Sequence, residues 1–224
     1  EDMRVCRAAV VAFALLSLSS CERKLQSSRQ TIGLVSDILD GKYPEELSTI
    51  SYASSPVRSG EIYLLGSTYY CSAFADRFEV FDKRDNVDGS RRPDMLPDFA
   101  GETLASISDD SVFGDDSLGR IQMRERVVRL ALAALDTVTH ISPYDLDGLR
   151  YKAPSKMIVL GEPSFAEFGG FDLDTLFRST NCDVPIISPV DLMLKQVFEA
   201  NKSRSVNLGI IANTERVSAS VYAS

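Results

Sequence analysis

Four clusters of small hydroxyl, amide and carboxylate residues stand where an apolar run gives way to a loop: Ser36-Asp37, Gly66-Ser67-Thr68, Gly161-Glu162-Pro163-Ser164 and Asn213-Thr214-Glu215. In open α/β sheets, ligands bind outside the carboxyl ends of the strands. Hydroxyls, backbone amides and helix N-termini at such places suit a carboxylate or phosphate group. Ser36, Asp37, Ser67, Thr68, Glu162, Ser164, Asn213 and Thr214 are therefore the candidate ligand-binding residues. The same residue types are also ordinary helix caps, so binding and capping both stand as readings at this stage. Glu162 and Glu167 have the chemistry of a general acid or base. His140 is the only histidine, and a Ser-His-Asp triad would have to pass through it. Its neighbours Thr139, Ile141, Ser142 and Pro143 suggest a helix exit instead. The chain has no G-x-S-x-G elbow, Walker loop, C-x-x-C pair or H-E-x-x-H helix. No catalytic residue, cofactor or metal is assigned.

The elements that must position these residues follow from hydrophobic patterning. Short apolar runs at Thr31–Asp37, Glu61–Leu65, Lys156–Leu160, Asp183–Pro189 and Val206–Ala212 predict buried strands. Tyr69–Val80, Arg120–Thr137 and Val190–Ala200 carry apolar residues at helical spacing, as with Phe74 and Phe78 four apart. Strands alternating with helices over short linkers mean an α/β fold, a mainly parallel sheet with helices on both faces in Rossmann-like or flavodoxin-like layers. Residues 31–206 form the expected first α/β domain, with an acidic loop insertion at 81–118. Residues 207–224 are expected to open a second α/β half, so the chain reads as an incomplete one.

Composition narrows the function classes. The chain is 44% hydrophobic and 25% charged, which suits a domain with a real core. Its net charge of −8 argues against nucleic acid, whose phosphates demand clustered Lys and Arg. In the insertion, Asp85-Asn86-Val87-Asp88-Gly89 invites a calcium reading, but the EF-hand frame would put Arg84 first and Met95 last. A solvated acidic loop is the simpler expectation. Cys71 and Cys182 remain to the folded part, and a disulfide, two buried thiols or a functional pair are all open.

Met3, Arg4 and Arg7 precede the apolar stretch Ala8–Leu18, and Ser19-Ser20-Cys21 closes it. A basic start, a short apolar core and small residues before a cut make a secretory signal. The stretch falls short of the roughly 20 residues that span a bilayer. With a cysteine directly after the small residues, the segment resembles the lipobox of bacterial lipoproteins. That resemblance implies a signal peptide over 1–20, acylation of Cys21, a polar tether over 21–30 and a domain facing the periplasm or cell surface. The membrane, through that anchor, is one expected partner, and a small molecule the other.

The segment from Lys156 to Tyr222 resembles the aspartate/glutamate racemase superfamily in its order of parts. Val184-Pro185-Ile186-Ile187 matches the family's proline-containing strand, and Leu208-Gly209-Ile210-Ile211-Ala212 its strand opening the second half. Gly161-Glu162-Pro163 stands where the family carries a catalytic cysteine, so the resemblance implies a fold and a carboxylate-binding cleft rather than racemisation. Ile32–Asp37 also looks like the first strand of periplasmic solute-binding lipoproteins, which close two lobes around a small polar ligand. The sequence thus leads to an envelope lipoprotein that binds a small polar or anionic ligand. A racemase-like enzyme and a non-catalytic interaction protein are the alternatives.

Overall fold

The structure is a computed structural model that describes residues 30–54, 60–111, 117–142, 145–205, 207–209 and 211. Helices α1 (Gly33–Leu39) and α2 (Pro44–Ala53) lead into strand β1 (Glu61–Gly66), helix α3 (Thr68–Val80) and strand β2 (Leu104–Ser108). Helix α4 (Ser117–Leu135) follows, then a hairpin of β3 (Val138–Ser142) and β4 (Asp145–Tyr151). Strand β5 (Ser155–Leu160), helix α5 (Pro163–Ser179), the two-residue strand β6 (Ile186–Ile187) and helix α6 (Pro189–Ala200) complete the order. The sheet runs β2-β1-β5-β6 with every pairing parallel, and the hairpin is a separate antiparallel pair. This is the expected α/β fold, with helices on both faces.

Alternation along β1 divides the core. Tyr63 and Leu65 face a large cluster built from α1, α2, α4 and α5, whereas Ile62 and Leu64 face Cys71, Phe74 and Phe78 of α3. The larger cluster turns on the contact of α4 with α5. A Cβ on Gly169 would lie 2.3 Å from Val127 Cγ1, so only glycine lets the two helices approach this closely. Beside that contact, Asp172 is fully buried and accepts from Arg124 Nε (2.7 Å) and Nη2 (2.9 Å). It also accepts from the Ile32 amide (3.1 Å), while Arg124 Nη2 donates to the Gln30 carbonyl (2.7 Å). One ion pair thereby fastens the entry to α1 onto two helices far away in sequence.

The stretch expected as a first strand, Thr31–Asp37, is instead helical from Gly33 onward, in α1. Leu34, Val35 and Ile38 are its buried residues, a helical face, and Gly41 takes a left-handed φ of +78° just past the end. A short apolar run does not by itself distinguish a strand from a buried helix, and here the terminating glycine and the Asp172 anchor decide for helix. The 81–118 insertion also differs from expectation. It contains β2, which adds to the β1 edge, and the first residues of α4. Leu104 packs towards α3, and Ala105 and Ile107 towards the other core.

At the lower end of the sheet, Lys152 Nζ donates to the Ala134 carbonyl (3.1 Å) and the Asp136 carbonyl, capping the C-terminus of α4. The ammonium sits 4.5 Å from the Tyr63 ring centroid. Burial pushes the Lys152 pKa down. Burial, helped by Glu61, pushes the Tyr63 hydroxyl up to about 12.

Replacing Asp172 by Ala leaves the Arg124 guanidinium, 16% exposed, without its carboxylate. The expected loss is about 3 kcal/mol, read as a lower midpoint in urea unfolding. A midpoint equal to wild type would show that the pair does not hold α1 in place.

Candidate functional site

The parallel order places the second strand in sequence to one side of β1 and the third, β5, to the other. The chain therefore reverses direction across the sheet between β1 and β5, and ligand crevices open at such switch points. Two of the four nominated clusters meet there. Gly66 ends β1 and Gly161 follows β5, and Gly161 N–H donates to the Leu65 carbonyl (2.8 Å). A Cβ on Gly66 would sit 3.2 Å from the Glu162 nitrogen, so the small residue keeps the two strand ends in close contact.

Across this junction the Glu162 carboxylate accepts from the Ser67 amide at 2.9 Å through Oε2, and from Ser164 Oγ at 2.6 Å through Oε1. Glu162 is half-buried and Ser164 buried. At this crest of the sheet, formed by the strand ends, each carboxylate oxygen retains a further lone pair. Thr68, the first residue of α3, donates its amide (2.8 Å) and its hydroxyl (2.6 Å) to Asp110. Asp110 follows β2, whose end is tied down by Asp109 N–H donating to the Gly66 carbonyl (2.9 Å). The Asp109 side chain accepts from Arg126 Nε (2.6 Å), Ser111 Oγ (2.5 Å) and Ser111 N–H (3.0 Å).

The consequence is electrostatic. Two of the amides at the start of α3, those of Ser67 and Thr68, already hold carboxylates from the chain itself, so an incoming anion would meet the negative charge of Glu162 and Asp110 there. Donation from the Thr68 hydroxyl and amide holds the Asp110 carboxyl below its usual range. At Asp109 burial pushes upward but is outweighed by the bonds from Ser111 and Arg126, leaving it lowered as well. The crest thus carries ionised acceptors in fixed positions.

Ser67, Thr68, Glu162 and Ser164 are brought together as candidate residues. Ser36 and Asp37 are not: they lie on α1, where Asp37 pairs with Lys42 (2.5 Å) and Ser36 Oγ lies 3.4 Å from Thr31 Oγ1. With α1 a helix, no strand end exists there to aim them at a ligand. Asn213, Thr214 and Cys21 lie outside the described residues. Asp109, Asp110 and Ser111 were hidden within the acidic insertion. Their signal was the run Leu104-Ala105-Ser106-Ile107-Ser108, whose alternation marks a strand ending just before Asp109.

Glu167, the other acid-base candidate, is buried on the inner side of α5, away from water. His140 lies exposed on β3 opposite Leu149, not at a helix exit. Cys71 and Cys182 are free thiols; Cys71 is buried, donates to the Leu64 carbonyl (3.5 Å), and burial raises its pKa.

In the Asp-rich loop the carboxylates serve the backbone. Asp82 accepts from the amides of Asp94 and Met95, Asp94 from Asn86 and Leu96, and Asp98 from Lys83 and Arg84. Among the described residues no three His, Cys, Asp or Glu side chains converge as metal ligands would. An open cleft of about 220 Å³ lies between α2 and α4, lined by residues that include Glu45, Glu46, Arg129 and Asp136. It is smaller than the roughly 300 Å³ at which ligand pockets begin, and it is remote from the strand ends.

No protein-family model, curated protein or solved structure matches the chain. Among the described residues no helix is long and apolar enough to cross a membrane.

The lowered Asp110 pKa has a definite sign. Its cap on Thr68 contributes in full above the ordinary carboxyl value of 3.8 and is lost as pH falls below it through the folded value. Asp110→Ala is therefore expected to lower Tm at neutral pH, with the gap to wild type closing below pH 3.8. A gap independent of pH would show that the charge is not what caps α3.

Proposed function

We propose that this chain is an envelope lipoprotein whose α/β domain binds a small polar ligand at the crest between β1 and β5. The observation that carries the reading is Glu162, a half-buried carboxylate at the switch point, bridging to the Ser67 amide at 2.9 Å while retaining acceptor capacity. With Asp110 beside the start of α3, the crest suits a ligand that donates hydrogen bonds, a polyol or an ammonium compound. It disfavours an anionic one, because the Glu162 and Asp110 carboxylates stand at that helix start and hold the Ser67 and Thr68 amides. The crest hydroxyls, Ser164 on Glu162 and Thr68 on Asp110, donate to carboxylates that are themselves engaged with the Ser67 and Thr68 amides, an arrangement that supports binding rather than turnover. Attachment through Cys21 rests on Met3–Cys21, where a basic start, an apolar core and two serines precede the thiol. Two or more acyl chains at that cysteine hold a protein stably on a membrane.

A thermal-shift screen of neutral sugars, cationic amino acids and dicarboxylates tests the ligand class. A stabilising polyol or ammonium ligand whose effect falls about tenfold in affinity in Glu162→Gln is the expected result. Stabilisation by dicarboxylates alone would defeat the reading.

Anchoring is tested separately by metabolic labelling with a fatty-acid probe. Wild type is expected to be labelled and Cys21→Ser unlabelled, and label retained in the variant would put the modification elsewhere.

A further inference from the structure

Three exposures follow one another along the chain from β6 onward. Among the described residues β6 pairs only with β5, and none of them occupies its other edge. Helix α6 buries none of its residues, and Leu192, Met193 and Phe198 are 46%, 58% and 57% exposed. The chain after α6 then presents Leu208 and Ile211, which carry no ladder bonds and are exposed.

We infer that the segment carrying Asn207, Leu208, Gly209 and Ile211 is a fifth parallel strand poised to dock along β6, extending the sheet and covering α6. Connectivity is the first argument. A strand, a helix and a next parallel strand make a right-handed crossover in nearly all proteins. The unit β5–α5–β6 sets the face for that hand, and α6 already touches α5 on that face, where a right-handed continuation from β6 must lay it. The second argument is length. After α6 the chain turns at Asn201, whose carbonyl accepts the Arg204 N–H (2.9 Å), so the apolar run resumes within the two-to-six-residue span of an ordinary helix-to-strand link.

The third argument is pattern. Leu208 and Ile211 stand an odd number of places apart, so in a strand they point to opposite faces, which suits a strand of a sheet with apolar cores on both faces. Ile186 and Ile187 of β6 already divide in this way between the two core clusters. A tethered segment meets the edge at high effective concentration, which favours it over a separate molecule. Docking would supply the missing partner to an edge that otherwise invites foreign strands.

Hydrogen exchange of the whole chain tests this. The amides of Leu208, Gly209 and Ile211 are expected to exchange on the order of tenfold or more slower than in a free peptide. That protection should be independent of protein concentration and lost in Leu208→Pro, with Tm falling by about 2–4 °C. Free-peptide rates in the wild-type chain would overturn the inference. So would protection that survives Leu208→Pro, because pairing would not be its source. Protection that grows with concentration would assign the edge to a second copy of the chain instead.

Discussion

Asp172 sits where three parts of the chain must agree. Its carboxylate has no exposure to water and receives Arg124 and the amide of Ile32, while the same arginine reaches back to the Gln30 carbonyl. Taking a carboxylate out of water costs several kcal/mol unless partners replace its hydration, so the residues around it have little freedom to move apart. The Gly169 contact with Val127 adds a steric condition in the same seam. Charge and close packing together lock α4 against α5, and those helices cover the face of the sheet that carries Tyr63, Leu65, Ile158 and Leu160. The position of β5 relative to β1, and with it the crest, rests on that seam.

At the crest the molecule uses its own carboxylates where many α/β proteins leave amides open to a ligand. Glu162 reaches from the end of β5 to the start of α3, and Asp110 reaches the same helix from the end of β2. Three strand ends are thereby stitched together, and the helix start is neutralised from within. Residue type alone leaves capping and binding as rival readings; the structure shows the capping, by carboxylates that still have lone pairs left over.

The patterning that makes β1, β5, α3, α4 and α6 legible is the strong kind, a continuous apolar run or a long apolar face. Helix α5 was missed because Gly169 and Gly170 lower the intrinsic helix preference of its centre, and packing against α4 outweighs that preference. Strand β2 was masked by the aspartates around it. The hairpin lay where the sequence suggested only a helix exit. Thr31–Asp37 went the other way, an apolar run too short for periodicity to settle and resolved by an anchor 140 positions away in sequence.

By itself the sequence determined the alternation of strands and helices, hence the α/β class, and it nominated Ser67, Thr68, Glu162 and Ser164 because polar residues after buried runs are a local signal. Tertiary structure alone decided that β5 inserts beside β1, that Asp110 joins Glu162 at the start of α3, and that Ser36 and Asp37 stand apart on a helix. Local pattern reports which residues are buried along one element. Which elements become neighbours depends on contacts between residues distant in sequence, such as Arg124 with Asp172 and Val127 with Gly169.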